Sequence, residues 1–326
     1  MHAEMPLENR IAALTDDIQQ YLEKRLGRTH ARQRLGIESE VGQHIFGKGF
    51  NFFHPENWYS SHSLIKHTIR LSGMYGRGKR NACNIQVREN IVELPDLPRQ
   101  FDGYTMLHLS DLHVDMYADA TDALIEKIAH LKYDICVMTG DYRARTYGDI
   151  DGAMGGMQRV LDVIHSPVYG VLGNHDSITM VPALESFGVQ MLLNESVEIN
   201  RDGECVHLSG VDDAHYFRVE NVQKAAEQVP TTTRSIMLSH TPEIYRQVAH
   251  AGFDLMLSGH THGGQICLPG GIPVTLDSRC PRYMGKGPWR YQNMQGYTSA
   301  GSGTSIVNVR FNCLPEVTLH RLCGAD

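Results

Sequence analysis

The sequence of 326 residues lacks the features of a membrane-spanning or secreted protein. Its apolar runs fall short of the ~18 residues that cross a bilayer. The polar start at Met1–Glu8 is not followed by the apolar stretch of a signal peptide. None of the seven cysteines forms a C-x-x-C pair, so neither a thiolate zinc site nor a redox motif is indicated. We therefore expect a cytoplasmic protein with reduced thiols that touches the inner face of the membrane at most.

Acidic residues are absent between Glu56 and Glu89, although the whole chain carries a net charge of -7. Residues 1–95 contain 13 Lys and Arg against 10 Asp and Glu, whereas residues 96–326 contain 17 against 27. No nucleic-acid partner is expected, because the overall charge is negative and the aromatic residues of the basic stretch form no RNA-binding motif. The difference in charge predicts different roles for the two parts.

The apolar residues are also spaced differently in the two parts. Residues 9–35 have the spacing of an amphipathic helix, and residues 61–75 predict a second helix with basic residues on its other side. Two prolines near residue 95 mark a boundary. We therefore predict a mainly helical extension over residues 1–95 and a second domain over residues 96–326.

Beyond that boundary, short apolar runs alternate with segments of helical spacing, which is typical of an α/β protein with strands buried on both faces. The runs that predict the strands of interest are Thr105–Leu109, Ile135–Met138, Val168–Leu172, Ser235–Leu238 and Leu255–Leu257.

Each of these five strands is followed by side chains that bind metal ions well. They are, in chain order, Asp111 and His113, Asp141, Asn174 and His175, His240, and His260 and His262. In open α/β sheets, ligands bind outside the carboxyl ends of the strands, so these side chains should meet at one edge. Carboxylate and imidazole together suit manganese, iron or zinc. There are more donors than one ion needs, and a shared carboxylate would join two ions.

The order of these motifs resembles the calcineurin-like metallophosphoesterase superfamily over roughly residues 100–322. Two further stretches, Gly259–Pro269 and Arg310–Leu319, resemble a bacterial phosphodiesterase subgroup that includes UDP-2,3-diacylglucosamine pyrophosphohydrolases. The resemblance implies an α/β fold of four layers, an αββα sandwich, in which residues 96–326 form the catalytic domain. It also implies hydrolysis of a phosphodiester or pyrophosphate bond, on a lipid-linked or nucleotide-sugar substrate.

The resemblance also implies a ligand set for two divalent ions, with manganese favoured and iron, zinc or cobalt as alternatives. One ion would bind Asp111, His113, Asp141 and His262, and the other would bind Asp141, Asn174, His240 and His260. Asp141 would join the two ions, and a hydroxide that bridges them would attack phosphorus in line. Asn174 and Asp141 would thus act in catalysis as well as in metal binding.

His175 matches the family histidine that contacts the phosphoryl oxygen or protonates the leaving group. In the phosphoprotein-phosphatase branch an aspartate pairs with this histidine, but the corresponding position here is Ala144. Arg143, Arg145 and His215 are candidates for substrate contact. A phosphomonoesterase is the alternative enzyme, and a metal-binding scaffold without catalysis is the alternative of another class.

Three roles remain open for the extension. It could pack against the catalytic domain, cap an anionic or acylated substrate, or lie on an anionic membrane surface through residues 57–88.

Overall fold

Residues 86–325 are built on two sheets of six strands. The computed structural model describes residues 7–46 and 66–325. The strands of the first sheet are β1 (Gln86–Pro95), β2 (Thr105–Leu109), β3 (Ile135–Met138), β4 (Val168–Gly170), β5 (Val189–Met191) and β14 (Glu316–Ala325). Those of the second are β6 (Glu195–Arg201), β7 (Glu204–Gly210), β8 (Ser235–Leu238), β9 (Leu255–Ser258), β12 (Gly287–Tyr291) and β13 (Met294–Thr298). A short hairpin joins β10 (Cys267–Leu268) to β11 (Ile272–Pro273).

The strand order places the predicted central strands in the middle of each sheet. The first sheet runs β1-β14-β2-β3-β4-β5, and the second runs β12-β13-β9-β8-β7-β6. The strands β2 to β5 are parallel, as are β7, β8, β9 and β13. Parallel neighbours end at the same edge, so the residues that follow β2, β3 and β4 lie together, as do those after β8 and β9.

The helices of the described part are α1 (Leu7–Leu26), α2 (Arg28–Phe46), α3 (residues 66–71), α4 (Tyr75–Ala82), α5 (Ala118–Ile128), α6 (Asp151–Leu161), α7 (Val181–Ser186), α8 (Val222–Ala226) and α9 (Tyr245–His250). Most of them pack on the outer faces of the two sheets, whereas α3 and α4 pack against residues 307–311. No helix within residues 7–46 and 66–325 is both long and apolar enough to cross a membrane.

Alternate residues of the central strands enter different cores. Leu107 of β2 packs with the helices on the first sheet, whereas its neighbour Met106 packs between the sheets. In the same way, Leu238 of β8 faces the first sheet and Met237 packs with α8 and α9. The strands are therefore buried on both faces, and the predicted four-layer αββα arrangement is confirmed.

The N-terminal extension differs in detail from its prediction. The single helix predicted over residues 9–35 is instead α1 and α2, which Gly27 separates with a φ of +88° that favours glycine. Of the helix predicted over residues 61–75, residues 61–65 lie outside the described part, and residues 66–71 are helical.

The end of the extension is not helical. Gln86–Pro95 forms β1, which pairs in parallel with β14 at the edge of the first sheet. Its outer half is solvated and carries Arg88, Glu89 and Asn90, so no apolar run marks it in the sequence.

Candidate metal centre

The seven candidate ligands meet between the carboxyl ends of the two sheets. The first sheet supplies Asp111, His113, Asp141 and Asn174, and the second supplies His240, His260 and His262. Each of the seven is at most 8% exposed. Charged and imidazole groups are rarely buried this deeply unless they are paired or bind metal, so the cluster needs a chemical explanation.

The first group of ligands consists of Asp111, His113 and His262. The Nε2 atoms of His113 and His262 lie 3.2 Å apart, and His262 Nε2 lies 3.5 Å from Asp111 Oδ1. His113 Nδ1 donates to the carbonyl oxygen of Arg143 at 2.8 Å. Its Nε2 therefore carries a lone pair and is ready to bind a cation.

The second group consists of Asp141, His240 and His260. Asn174 belongs with them, because its Oδ1 lies 2.8 Å from His240 Nε2 and 2.9 Å from His260 Nδ1. Asp141 Oδ2 lies 3.3 Å from His240 Nε2 and 3.7 Å from His113 Nε2 of the first group. Asp141 is thus the carboxylate that both groups share.

The donors around His240 fit a cation. His240 Nδ1 donates to the carbonyl oxygen of Thr139 at 2.8 Å, so a neutral ring presents only a lone pair at Nε2. That lone pair faces two acceptor oxygens, Asn174 Oδ1 and Asp141 Oδ2. A divalent ion would satisfy all three atoms at once, whereas the ring alone satisfies them only when it is protonated.

Charge balance at the same place supports this conclusion. Burial opposes a charge on His240, but the negative charge of Asp141 outweighs it and raises the pKa of His240 to about 10. Burial likewise opposes a charge on Asp141, but the charge of His240 outweighs it and holds the pKa of Asp141 well below its usual range. Without metal, a proton on His240 therefore occupies the place of a cation, and metal binding must release it.

The backbone of the ligand loops is strained. Five of the ligands have positive φ, which is uncommon for residues other than glycine: Asp111 (51°), His113 (41°), Asp141 (57°), His260 (72°) and His262 (50°). Such conformations persist only where the surroundings enforce them, and they concentrate at functional sites. One such support is the Asp176 carboxylate, which accepts the N–H groups of Asp141, Tyr142 and Gly173 at 2.7–2.9 Å.

His175 is oriented by a backbone group in place of the missing aspartate. Its Nδ1 donates to the carbonyl oxygen of Ala144 at 2.8 Å. Its Nε2 lies 4.0 Å from Asp141 Oδ2, and the side chain lines the pocket above the ligands. The main chain at Ala144 therefore supplies the hydrogen-bond acceptor for the His175 ring that an aspartate side chain supplies in the phosphoprotein-phosphatase branch.

The three candidates for substrate contact, Arg143, Arg145 and His215, are not among the residues that line the pocket. All three guanidinium nitrogens of Arg143 already donate to backbone carbonyls, those of Thr146 and Gly148 in its own loop and that of His175 in the loop after β4. Arg145 is exposed and does not line the pocket. The ring of His215 contacts that of His260, with centroids 4.1 Å apart and planes tilted by 45°, and it bonds Glu243. His215 thus contacts a candidate ligand but is not part of the pocket wall.

His215, His260 and Asp277 form a third group with metal-binding side chains. His260 presents Nδ1 to the second group, so its Nε2 must keep a proton whenever Nδ1 binds an ion. A protonated Nε2 cannot bind another cation. These three side chains therefore do not form a third metal site when His260 binds an ion of the second group.

A buried hydrogen-bond chain reaches Asp111 from the space between the two sheets, where His108 and His320 contact Tyr297 of β13. It runs from His320 through His108, Thr139 and Ser110 to Asp111 Oδ2, with steps of 2.6–3.2 Å. Asp111 can only accept when ionised, so Ser110 donates to it, Thr139 donates to Ser110, and His108 must donate from Nε2. The sequence contained no signal for this chain, because its histidines lie within apolar strands.

Helix α2 braces the loop that carries Asn174 and His175. Arg34 is fully buried and donates to the carbonyl oxygen of Asp176 at 2.9 Å. Glu38, one turn later, accepts from Ser177 Oγ and from the N–H of Ile178, both at 2.7 Å. The extension therefore contacts the catalytic loop directly, which the amphipathic pattern of residues 9–35 did not reveal.

Arg34 is itself held by the second sheet. Its guanidinium lies 3.3 Å from the ring centroid of Phe217 and 3.4 Å from Asp212 Oδ1. His30 bonds the other oxygen of Asp212 at 2.8 Å. Through Arg34, Glu38 and His30, α2 therefore contacts the loop after β4 of the first sheet and the loop after β7 of the second sheet.

A pocket of about 560 Å³ opens beside the two ligand groups. Asp141, Asn174, His175, His260 and His262 form its floor. Its apolar walls are Ile69, Ile266, Val274, Ile306 and Val307. Ile69 belongs to α3, so the extension forms part of the wall. A phosphoryl group at the floor would have space beside it for a second, partly apolar substituent.

Comparison with known proteins assigns the class. Residues 104–264 match the calcineurin-like phosphoesterase family. The chain is 29% identical over 260 residues to the metallophosphoesterase YkoQ of Bacillus subtilis, covering 76% of this chain and 93% of that protein. It is 27% identical over 235 residues to the phosphodiesterase YaeI of Escherichia coli, covering 67% and 82%.

Among solved structures, the phosphopantetheinyl hydrolase PptH of Mycobacterium tuberculosis is similar with a TM-score of 0.38 and 12% identity, covering 62% of this chain and 91% of that one. The match of residues 104–264 to the phosphoesterase family includes every strand end that supplies a candidate ligand. The chain therefore carries a calcineurin-like metallophosphoesterase domain, and the protein is a hydrolase of that class.

Proposed function

We propose that this protein hydrolyses phosphodiester or pyrophosphate bonds with two divalent ions bound between its sheets. The observation that carries the proposal is the position of Asp141, whose Oδ2 faces both ligand groups. Asp111, His113 and His262 complete one site, and Asn174, His240 and His260 complete the other. When bound, the two ions would withdraw charge from the phosphoryl oxygens and lower the pKa of water.

The protein's own residues set the geometry for this reaction. Asp141 would keep the two sites a fixed distance apart, and the N–H of His175 holds its other oxygen, Oδ1, at 2.9 Å. His175 Nε2 points into the pocket, because Nδ1 is engaged by Ala144. A proton held at Nε2 could therefore be donated to a phosphoryl oxygen or to the leaving oxygen.

The mixture of ligands limits the choice of metal. Two carboxylates, one amide oxygen and four imidazoles suit manganese, iron, zinc or cobalt better than calcium, which takes oxygen ligands alone. We propose manganese as the native ion.

The charge of the pocket favours a diester over a monoester. No Lys or Arg is among the residues that line the pocket in the described part of the chain. A monoester carries about two negative charges at neutral pH, whereas a diester carries one, so the monoester would need more compensation from the protein. The apolar walls further favour a substrate with an apolar substituent, such as a lipid-linked diester.

Removal and return of metal tests this proposal. The protein would be stripped with chelator, refilled with Mn²⁺ and assayed with bis(p-nitrophenyl) phosphate and with p-nitrophenyl phosphate. We expect activity only after refilling, with the diester cleaved faster than the monoester. A preference for the monoester would indicate a phosphomonoesterase. Bound ions without turnover of either compound would favour a scaffold.

A further inference from the structure

Large apolar side chains are exposed at the tip of the hairpin β10–β11. Leu268 is 54% exposed and Ile272 is 57% exposed. They are directly paired across the two strands, which places both side chains on one face. The turn between them contains Gly270 and Gly271, both with positive φ. The hairpin therefore presents a narrow apolar edge to its surroundings.

This edge continues into the pocket of the metal centre. Val274 follows β11, is 58% exposed, and also lines the pocket. Ile306 stands on the pocket wall as well and is partly exposed. We call Leu268, Ile272, Val274 and Ile306 the apolar rim. A group with an apolar tail could pass from this rim to the pocket floor without leaving apolar surroundings.

Basic residues of the extension flank the apolar rim. Helix α3 contributes Ile69 to the pocket wall and carries exposed Lys66 and Arg70, and Leu71 beside them is 88% exposed. Residues 57–88 contain no acidic side chain to offset this charge.

Helix α4 adds further positive charge close to the hairpin. It carries exposed Arg77 and Arg80. At Gly78 the helix packs so closely on Val309 and Phe311 that a Cβ would lie 2.7 Å from their side chains. Phe311 bridges to Ile266, the residue that precedes β10, so α4 lies near the base of the hairpin.

We propose that the apolar rim and the basic residues of α3 and α4 dock this protein onto the surface of an anionic lipid bilayer. Exposed apolar groups flanked by Lys and Arg are the combination that binds such surfaces, by partial insertion and by attraction to anionic headgroups. The pocket opens within this same surface. A protein partner bound there would block the pocket, whereas a fluid bilayer would bring lipid headgroups to it. The use of such headgroups as substrates rests on the proposed function, but the docking itself does not.

Sedimentation with vesicles tests the docking. The full-length protein would be mixed at low salt with vesicles of phosphatidylcholine, with and without phosphatidylglycerol. Variants would be the double substitution Leu268→Ser with Ile272→Ser, the double substitution Arg70→Ala with Arg77→Ala, and Ile91→Ser as control. Ile91 is 64% exposed on β1, away from the pocket.

We expect the wild-type protein and the control to bind only the anionic vesicles. Each double variant should bind at least about tenfold more weakly. Turnover of bis(p-nitrophenyl) phosphate without vesicles should be the same in all four proteins, and this assay reports failure of the proposed function separately. Docking would be refuted if the wild-type protein did not sediment with anionic vesicles, or if Ile91→Ser weakened binding as much as the double variants do. It would also be refuted if the wild-type protein were a dimer that the substitution of Leu268 and Ile272 dissociates, because the apolar rim would then bind a second copy of the chain.

Discussion

Replacement of Asp141 by asparagine should lower the turnover of a soluble diester by about 10⁴-fold, the loss seen when the aspartate of a concerted catalytic group is replaced by asparagine. Asp141 Oδ2 lies 3.7 Å from His113 of the first ligand group and 3.3 Å from His240 of the second. Asparagine keeps Oδ1 as the acceptor for the N–H of His175, so the loop should keep its shape. What is lost is the negative charge that balances two cations.

The matched control for this substitution is Asp122→Asn. Asp122 is exposed on α5 and pairs with Arg159 at 2.6 Å, far from the pocket. We expect normal turnover from the control and, for both variants, thermal unfolding close to that of the wild-type protein. Turnover within about tenfold of wild type after Asp141→Asn would exclude the shared carboxylate as a central part of the mechanism.

Replacement of Arg34 by alanine should have the largest effect on stability. Removing one partner of a buried ion pair leaves the other charge without compensation, which costs about 3–5 kcal/mol. Here the remaining group would be Asp212, which is buried and which Arg34 reaches at 3.4 Å. His30 would still bond its other oxygen at 2.8 Å, so the cost should lie near the lower end of that range. The substitution also removes the hydrogen bond to the carbonyl oxygen of Asp176, so the loop of Asn174 and His175 should lose its brace.

The effect of Arg34→Ala should depend on pH with a defined sign. Burial opposes the charge of Asp212, but Arg34 and His30 outweigh it and hold the pKa of Asp212 below its usual value of 3.8. A depressed pKa contributes stability that is present above 3.8 and is lost as pH falls through the folded-state value. The difference in unfolding free energy between wild type and variant should therefore be largest at neutral pH and become smaller as the pH falls below 3.8.

Urea unfolding of wild type and Arg34→Ala, from neutral pH to below pH 3.8, measures the difference in stability. Diester turnover at a temperature where both proteins are folded measures the effect on the loop. Arg32→Ala is the control, because Arg32 is exposed and pairs with Glu23 on the surface. Arg34→Lys keeps the charge and should restore part of the stability. A loss of stability after Arg34→Ala without any loss of turnover would show that α2 holds the fold but does not position the loop.

The parts of the site that follow buried strands could be predicted from the sequence. The runs Thr105–Leu109, Ile135–Met138 and Ser235–Leu238 are mostly apolar because both faces of each strand are buried, and their bounds match the structure. Since parallel strands end at one edge, the polar residues that follow them had to converge. These predictions needed only a short apolar run and the residues directly after it, so they depended on neighbours in sequence.

The supports of the site could not be predicted, because they join residues that are distant in sequence. Arg34 and Asp176 are 142 residues apart, and His108 and His320 are 212 apart. The orientation of His175 depends on a carbonyl group, which every residue has, so Ala144 gave no signal. The edge strand β1 was missed for another reason, since its outer half faces solvent and lacks an apolar run.

The number of metal ions bound per chain tests the central claim most directly. The stripped protein would be titrated with Mn²⁺, and bound metal and diester turnover would be measured on the same samples after removal of free metal. The structure predicts two ions per wild-type chain, with turnover that appears only as the second site fills. Full turnover with one ion per chain, or with no retained ion, would contradict a reaction that depends on two metal ions.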